Sequence, residues 1–143
     1  MMRCFLPGDE KAIAFLEAEC FSQPWSCEAV LDSLENGVLF ILYEEEWQIL
    51  GYAGVQVVLD EGYITNVAVT SSARRKGIGS ALISGLLGIK KEKQLSFLTL
   101  EVRSSNTAAI SLYKKFGFKE VGTRKNFYSA PKEDAVIMTI EDF

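Results

Sequence analysis

The sequence contains no histidine. Every mechanism that needs a Ser–His or Cys–His pair or a His–metal ligand is therefore excluded within this chain. Cysteine is scarce too. Cys4, Cys20 and Cys27 have neither CxxC spacing nor an even count, so neither a disulfide framework nor a zinc or other metal site is expected. That usage suits a reducing, cytoplasmic setting. Long apolar runs are missing: the uncharged stretch from Ile78 to Ile89 is too short to span a bilayer. The N-terminal apolar stretch stops at Pro7-Gly8-Asp9-Glu10, which argues against a signal peptide and for a soluble protein. Positive charge is in deficit, with 15 Lys+Arg against 19 Asp+Glu and a net charge of −4. A broad grip on nucleic acid is disfavoured, although one basic pocket for a small anion is not. With only 3 prolines and no low-complexity tract, no linker divides the chain, and 143 residues suit one domain, 1–143. A composition of 48% hydrophobic and 24% charged residues is that of an ordinary globular protein.

Periodicity supplies the order of elements. Arg3 to Leu6 reads as a short strand ended by Pro7-Gly8, and Asp9 caps a helix with Ile13, Leu16 and Cys20 on one face. Ser26 is placed to cap a second helix, which stops at Asn36-Gly37. Three strand-like runs follow, Val38 to Tyr43, Ile49 to Leu59 and Tyr63 to Val69. Turns at Glu44-Glu45-Glu46 and Asp60-Glu61-Gly62 make them an antiparallel meander. Ile78, Ala81, Leu82, Gly85, Leu86 and Ile89 keep helical spacing, and Ile83 and Leu87 make that helix largely buried. A strand at Phe97 to Val102, a helix from Ser104-Ser105-Asn106 to Phe116-Gly117, and strands around Glu120 to Tyr128 and Ala135 to Ile140 complete an α/β pattern with a mixed sheet.

Arg74-Arg75-Lys76-Gly77-Ile78-Gly79-Ser80 lies between a strand and the buried helix. Its glycines admit backbone N–H groups close to an anion, and the helix N-terminus adds partial positive charge. This is the natural seat for a phosphate-bearing cofactor, against the plainer reading of a solvated basic turn. A P-loop is ruled out because no Gly-Lys-Ser/Thr closes the segment. A dinucleotide fingerprint is the stronger rival, with Glu101 at the following strand's end. It fails at Leu82, where a third glycine is needed, and in the seven residues from Thr70 to Lys76 that separate strand from Gly77.

Arg74-x-x-Gly77-x-Gly79 resembles the acyl-CoA loop of the GNAT superfamily of N-acetyltransferases. The likeness runs through nearly the whole chain and is closest to the RimI-type ribosomal-protein-alanine N-acetyltransferases. It is carried by Pro24-Trp25-Ser26, Gln56 to Glu61, Asn66-Val67-Ala68-Val69, Leu100-Glu101-Val102-Arg103, Ser105-Asn106, Ala108-Ala109-Ile110, Leu112-Tyr113 and Gly117-Phe118. Arg124, Asn126-Phe127-Tyr128 and Glu133-Asp134-Ala135 extend it. The resemblance implies a GNAT fold, an α/β architecture with a mostly antiparallel mixed sheet of about seven strands and about four helices. It implies acetyl-CoA as co-substrate, no metal, and the N-terminal peptide of a ribosomal protein as acceptor. Nucleic acid and membrane are not expected partners.

By the same resemblance, Val67, Ala68 and Val69 pair with the pantetheine arm, and Arg75, Lys76, Gly77, Ile78, Gly79 and Ser80 hold the pyrophosphate. Asn106 matches a cofactor-contacting position, and it also suits a helix N-cap. Glu101 matches the general base, acting directly or through water; the plainer reading is a salt bridge with Arg103 or Arg124. Tyr113 matches the general acid, against a packed core tyrosine on a stripe with Ala109, Leu112 and Phe116. Trp25, Phe127 and Tyr128 are weaker candidates for an acceptor groove, which Asp60-Glu61 and Glu133-Asp134 are expected to frame. An α-amine acceptor with a small first residue is expected. Acetylation of a lysine, polyamine or other small amine, a non-catalytic CoA-binding domain and a dinucleotide-binding fragment stand as alternatives.

Overall fold

Hydrophobic alternation along the strands builds a sheet covered on both faces. A computed structural model describes residues 1–141. In chain order the strands are β1 (Met2–Cys4), β2 (Val38–Glu45), β3 (Gln48–Val58), β4 (Glu61–Val69), β5 (Phe97–Arg103), β6 (Lys119–Ser129) and β7 (Lys132–Glu141). The helices are α1 (Glu10–Cys20), α2 (Cys27–Glu35), α3 (Ile78–Glu92) and α4 (Thr107–Lys115), with a single 3₁₀ turn at Ser71–Ala73. The seven strands lie in the order β1-β2-β3-β4-β5-β7-β6, and only β4 and β5 run parallel. This is the GNAT α/β architecture expected from the resemblance, and it leaves no dinucleotide-type doubly wound sheet.

Successive residues of β2 face opposite sides of the sheet. Phe40 and Leu42 pack with Tyr52, Ile13, Leu16 and Val30 beneath α1 and α2. Ile41 packs with Val55, Ile78, Leu82 and Leu86 beneath α3, in the core that also takes in Tyr113 and Phe118. Ser26 caps α2 as expected, its side chain accepting from Ala29 N at 3.1 Å. Asn106 caps α4 by accepting from Ala109 N at 3.2 Å.

Several local expectations shift. The first strand is Met2–Cys4 rather than Arg3 to Leu6, although Phe5 N still donates to Phe40 O at 3.2 Å. Asp9 occupies the N-cap position of α1 but does not cap it with its side chain. Its carboxylate instead accepts from Arg3 Nη1 at 2.7 Å and Leu6 N at 2.8 Å, and the Arg3 hydrogen bond pulls its pKa down. Arg3 also donates to Glu44 at 2.7 Å, so a charged cluster outcompetes the cap. Glu44 and Glu45 continue β2, and Glu61 and Gly62 begin β4, leaving shorter turns than the charge runs suggest.

Two irregularities make room for a site. β4 pairs with β5 only through Glu61–Phe97, Gly62–Leu98 and Tyr63–Thr99. Beyond that point the strands part, and among the described residues the outer edge of β4 from Thr65 to Val69 has no neighbouring strand. In the ladder to β3, Val55 opposes Ile64 and Gly54 opposes Asn66, so Thr65 is a bulged extra residue where the strands begin to part.

Candidate active site

The gap between β4 and β5 opens into two cavities that meet. One, of about 710 Å³, is lined by Val67, Ala68 and Val69 of β4, by Arg74, Arg75, Gly77, Ile78, Gly79 and Ser80, and by one face of α4. The other, of about 510 Å³, is lined by Thr65 and Asn66 of β4, Leu100 to Arg103 of β5, the α1–α2 segment, Tyr128 and Pro131. Cys20, Phe21, Val67, Asn106, Ala109 and Tyr113 belong to both walls, so the cleft is continuous.

The first cavity is built to take an anion. Gly77 precedes α3 with φ +81°, and Arg75 has φ +66°. No side chain caps α3, whose first turn begins with Ala81 N donating to Gly77 O at 3.0 Å. Among the described residues the N–H groups of Ile78, Gly79 and Ser80 have no partner, and the helix dipole makes that end positive. A Cβ at Gly77 would meet nothing within 4 Å, so the space above the loop is open to a ligand. Arg74 and Arg75 border it. These features fit a diphosphate, and the unpaired β4 edge fits an extended amide-bearing arm such as pantetheine.

Each residue expected at the cofactor reaches this cavity except Lys76. That residue is solvent-exposed and lines neither wall. Ile78 lines the cavity and is also a buried core residue at 4% exposure. Asn106 lines the cleft while capping α4, so the two readings of this residue coexist.

Glu101 projects from the face of β5 opposite the buried Leu98, Leu100 and Val102, as strand alternation requires. It lines the second cavity, and among the described residues it has no ion pair. The expected alternative partner Arg103 is engaged elsewhere: it donates to Pro131 O at 2.8 Å and Glu133 Oε1 at 3.2 Å. Its guanidinium stacks 4.3 Å from the Tyr128 ring centroid. Arg124 instead lies 5.9 Å from the Phe127 ring.

Tyr113 is a core residue at 7% exposure, packed edge-on to Phe118, and it also lines both cavities. Its hydroxyl has no partner among the described residues and is not sealed from solvent, so it opens onto the cleft. Burial raises its pKa, which keeps the phenol protonated and therefore a proton donor at neutral pH.

The acidic frame expected around the acceptor is corrected. Asp60, Glu61, Glu133 and Asp134 line neither cavity. Glu61 accepts from Tyr63 at 2.6 Å, and Asp134 from Asn126 N at 2.8 Å. Glu133 accepts from Ser105 N at 2.6 Å, Arg103 and Ser104, so it ties the β6–β7 hairpin to the end of β5. Hydrogen bonds from Ser105 above all hold its pKa at about 2, against an ordinary value of 4.5. A depressed carboxyl contributes stability that is complete above about pH 4.5 and is lost as pH falls towards about 2. Urea midpoints across that window therefore fall further for the parent than for Glu133→Gln, whose side chain does not titrate. Equal declines would remove the hairpin clamp.

Trp25 and Tyr128 line the acceptor-side cavity; Phe127 does not and is half-exposed. One residue overlooked in the sequence also stands there. Glu17 is 1% exposed, with its carboxylate accepting from Trp25 N at 2.9 Å, Asn66 Nδ2 at 3.0 Å and the Tyr52 hydroxyl. Burial pushes the pKa of both Glu17 and Tyr52 up. The signal was available: Ile13, Leu16, Glu17 and Cys20 share one helical stripe, and a carboxylate inside an apolar stripe requires partners. Arg74, the first residue of the loop motif, lines the cofactor-side cavity, its Nε donating to Val69 O at 3.2 Å.

Comparison with known proteins agrees with this geometry. The sequence profile of the acetyltransferase (GNAT) family matches residues 9–118. The chain is 38% identical over 126 residues to the ribosomal protein bS18-alanine N-acetyltransferase of Haemophilus influenzae, covering 86% of each chain. It is 34% identical to the enzyme of that name from Escherichia coli K12, covering 92% of this chain and 90% of that one. The crystal structure of the ribosomal-protein-S18-alanine N-acetyltransferase from Escherichia coli superposes with a TM-score of 0.91 at 32% identity. That match covers 99% of this chain and 92% of the other.

Proposed function

The chain belongs to the acetyltransferase (GNAT) family, and from that membership we propose that it transfers the acetyl group of acetyl-CoA to the α-amine of an alanine-starting ribosomal protein. Residues 1–143 act as one acetyltransferase domain in this reading, and its place of work is the cytoplasm, where ribosomal proteins are made. No described helix is long and apolar enough to cross a membrane.

The observation that carries the reading is the continuous cleft. Its anion-ready end, at the free N–H groups of α3, is joined past Tyr113 to a second chamber in which Glu101 is unpaired among the described residues. Acetyl-CoA supplies the acetyl group and the departing thiolate. Arg75, Gly77, Gly79 and Ser80 hold its diphosphate, Val67 to Val69 align the arm, Glu101 receives the amine's proton, and Tyr113 offers a proton to the sulfur. The small first residue rests on the relatives' names.

An α-amine suits this equipment better than a lysine. At pH 7.4 an α-amine titrating near 8 is roughly one-fifth neutral, whereas a lysine near 10.4 is about one-thousandth neutral. With no histidine in the chain, the carboxylate has far less to do against the α-amine.

The test uses an alanine-starting ribosomal peptide, its N-terminally blocked twin and a lysine-rich control at one acetyl-CoA concentration. Acetylation confined to the free N-terminus is expected. Substantial labelling of the blocked twin would move the acceptor to lysine.

A further inference from the structure

We propose that Asn66 accepts a hydrogen bond from the acceptor amine through its Oδ1, with Glu17 as the positioning residue that fixes the amide for this task. The inference rests on the acetyl-transfer reading above and adds to it a second amine-recognising group, so that the site selects acceptors with a primary amine.

An asparagine amide presents a donating and an accepting end, and a carboxylate can bind only the donating one. Glu17 Oε2 receives Asn66 Nδ2 at 3.0 Å and the Tyr52 hydroxyl, while Oε1 receives Trp25 N at 2.9 Å. All three partners are donors, so the accepting carboxylate meets the Asn66 amide by its NH2 end. Oδ1 is thereby turned away from the carboxylate. It has no donor among the described residues, and the one sealed, unpartnered side-chain oxygen or nitrogen among them is Thr65 Oγ1. Asn66 Oδ1 is therefore open, and Asn66 lines the acceptor-side cavity.

The bulge at Thr65 sets the direction. It precedes Asn66 just beyond Tyr63 and Thr99, where β4 and β5 part. Asn66 and Glu101 consequently stand on the two strands that wall one chamber. An incoming amine carries more than one N–H. One faces Glu101 or its water, and a second has Asn66 Oδ1 as its acceptor. The same Glu17 carboxylate holds the Trp25 backbone, so the wall and the amide are set together.

The test is steady-state kinetics on Asn66→Ala, Glu17→Gln and the double variant, with the alanine-starting peptide as acceptor. Acetyl-CoA affinity by calorimetry and melting temperature are measured in parallel. Losing a hydrogen bond to a charged group raises the peptide KM by about 10- to 100-fold in Asn66→Ala, with acetyl-CoA affinity unchanged. Glu17→Gln gives a smaller rise, because a glutamine amide can donate to Oδ1 and turn Asn66 round. The double variant is no worse in peptide KM than Asn66→Ala, since both changes remove one interaction. An unchanged KM in Asn66→Ala, additive effects in the double variant, or parallel loss of peptide and acetyl-CoA binding would overturn the proposal while leaving acetyl transfer intact. A parent enzyme that ignores the free peptide would overturn the acetyl-transfer reading, and this inference with it.

Discussion

Glutamine in place of Glu101 is expected to lower kcat by about 10²–10⁴ while acetyl-CoA binds as tightly as before. The side chain keeps its size and its place on the half-buried face of β5, so the fold and the cofactor cavity are undisturbed. What disappears is the proton acceptor proposed for the chamber that takes the amine. Among the described residues no other carboxylate replaces it: Glu17 is enclosed by three donors, and Glu133 is bound to Arg103 and Ser105 outside the chamber walls. Tyr113→Phe should lower kcat by a comparable factor for the opposite reason, since it removes the proposed proton donor, which lines both cavities. Burial makes that phenol a weaker acid than a free one, yet a thiolate leaving into the same apolar surroundings is raised in the same direction. The measurement is kcat against pH for both variants, with acetyl-CoA affinity alongside. Full kcat in both variants at every pH would remove the two residues from the chemistry.

Valine in place of Gly77 is expected to weaken acetyl-CoA binding by tenfold or more without unfolding the protein. The cause is not crowding, because a Cβ there would meet nothing within 4 Å. It is the φ of +81°, which a β-branched residue adopts only at a cost of about 1–2 kcal/mol or more. The loop relieves that strain by turning its peptide planes, and the N–H groups at the start of α3 lose their common aim. Each hydrogen bond lost to a charged phosphate oxygen costs about 1.5–3 kcal/mol. Gly79→Ala is the contrast: its Cβ would lie 3.3 Å from Leu112 Cδ2, the end of a flexible side chain, so a smaller loss is expected. Calorimetric titration with acetyl-CoA checks both. A Gly77→Val protein that binds as tightly as the parent would show that the diphosphate lies elsewhere.

The residues that the sequence makes legible are those governed by neighbours along the chain. Ser26 and Asn106 are readable as caps because a cap bonds an N–H three residues away. The stripe of α3 and the alternation of β5 are readable because periods of 3.6 and 2 mark a buried face without reference to its partner. The loop from Arg74 to Ser80 is readable because its glycines and the helix start are contiguous. The family could be identified for the related reason that its motifs keep their order along the chain.

Long-range pairing decided the rest. Asp9 stands where a cap belongs, but Arg3 and Glu44 draw its neighbourhood into an ionic cluster that no local pattern encodes. Glu133 and Asp134 are expected from the sequence to frame the acceptor groove, yet they are bound to Ser105 and Asn126 across strand connections. Glu17 meets Tyr52 and Asn66 from 35 and 49 residues away, so its partners exist only once α1 lies on the sheet. The cleft itself depends on where β4 and β5 stop pairing and on the bulge at Thr65. Backbone register is a relation between two strands, and neither strand's sequence states it alone. Composition and periodicity thus determined the pattern of elements, and the order of motifs, through the resemblance it carries, pointed to the chemistry. The splayed strands and the charges matched across the fold decided which residues face the acceptor, because burial forces each polar group to take the partner that folding brings to it.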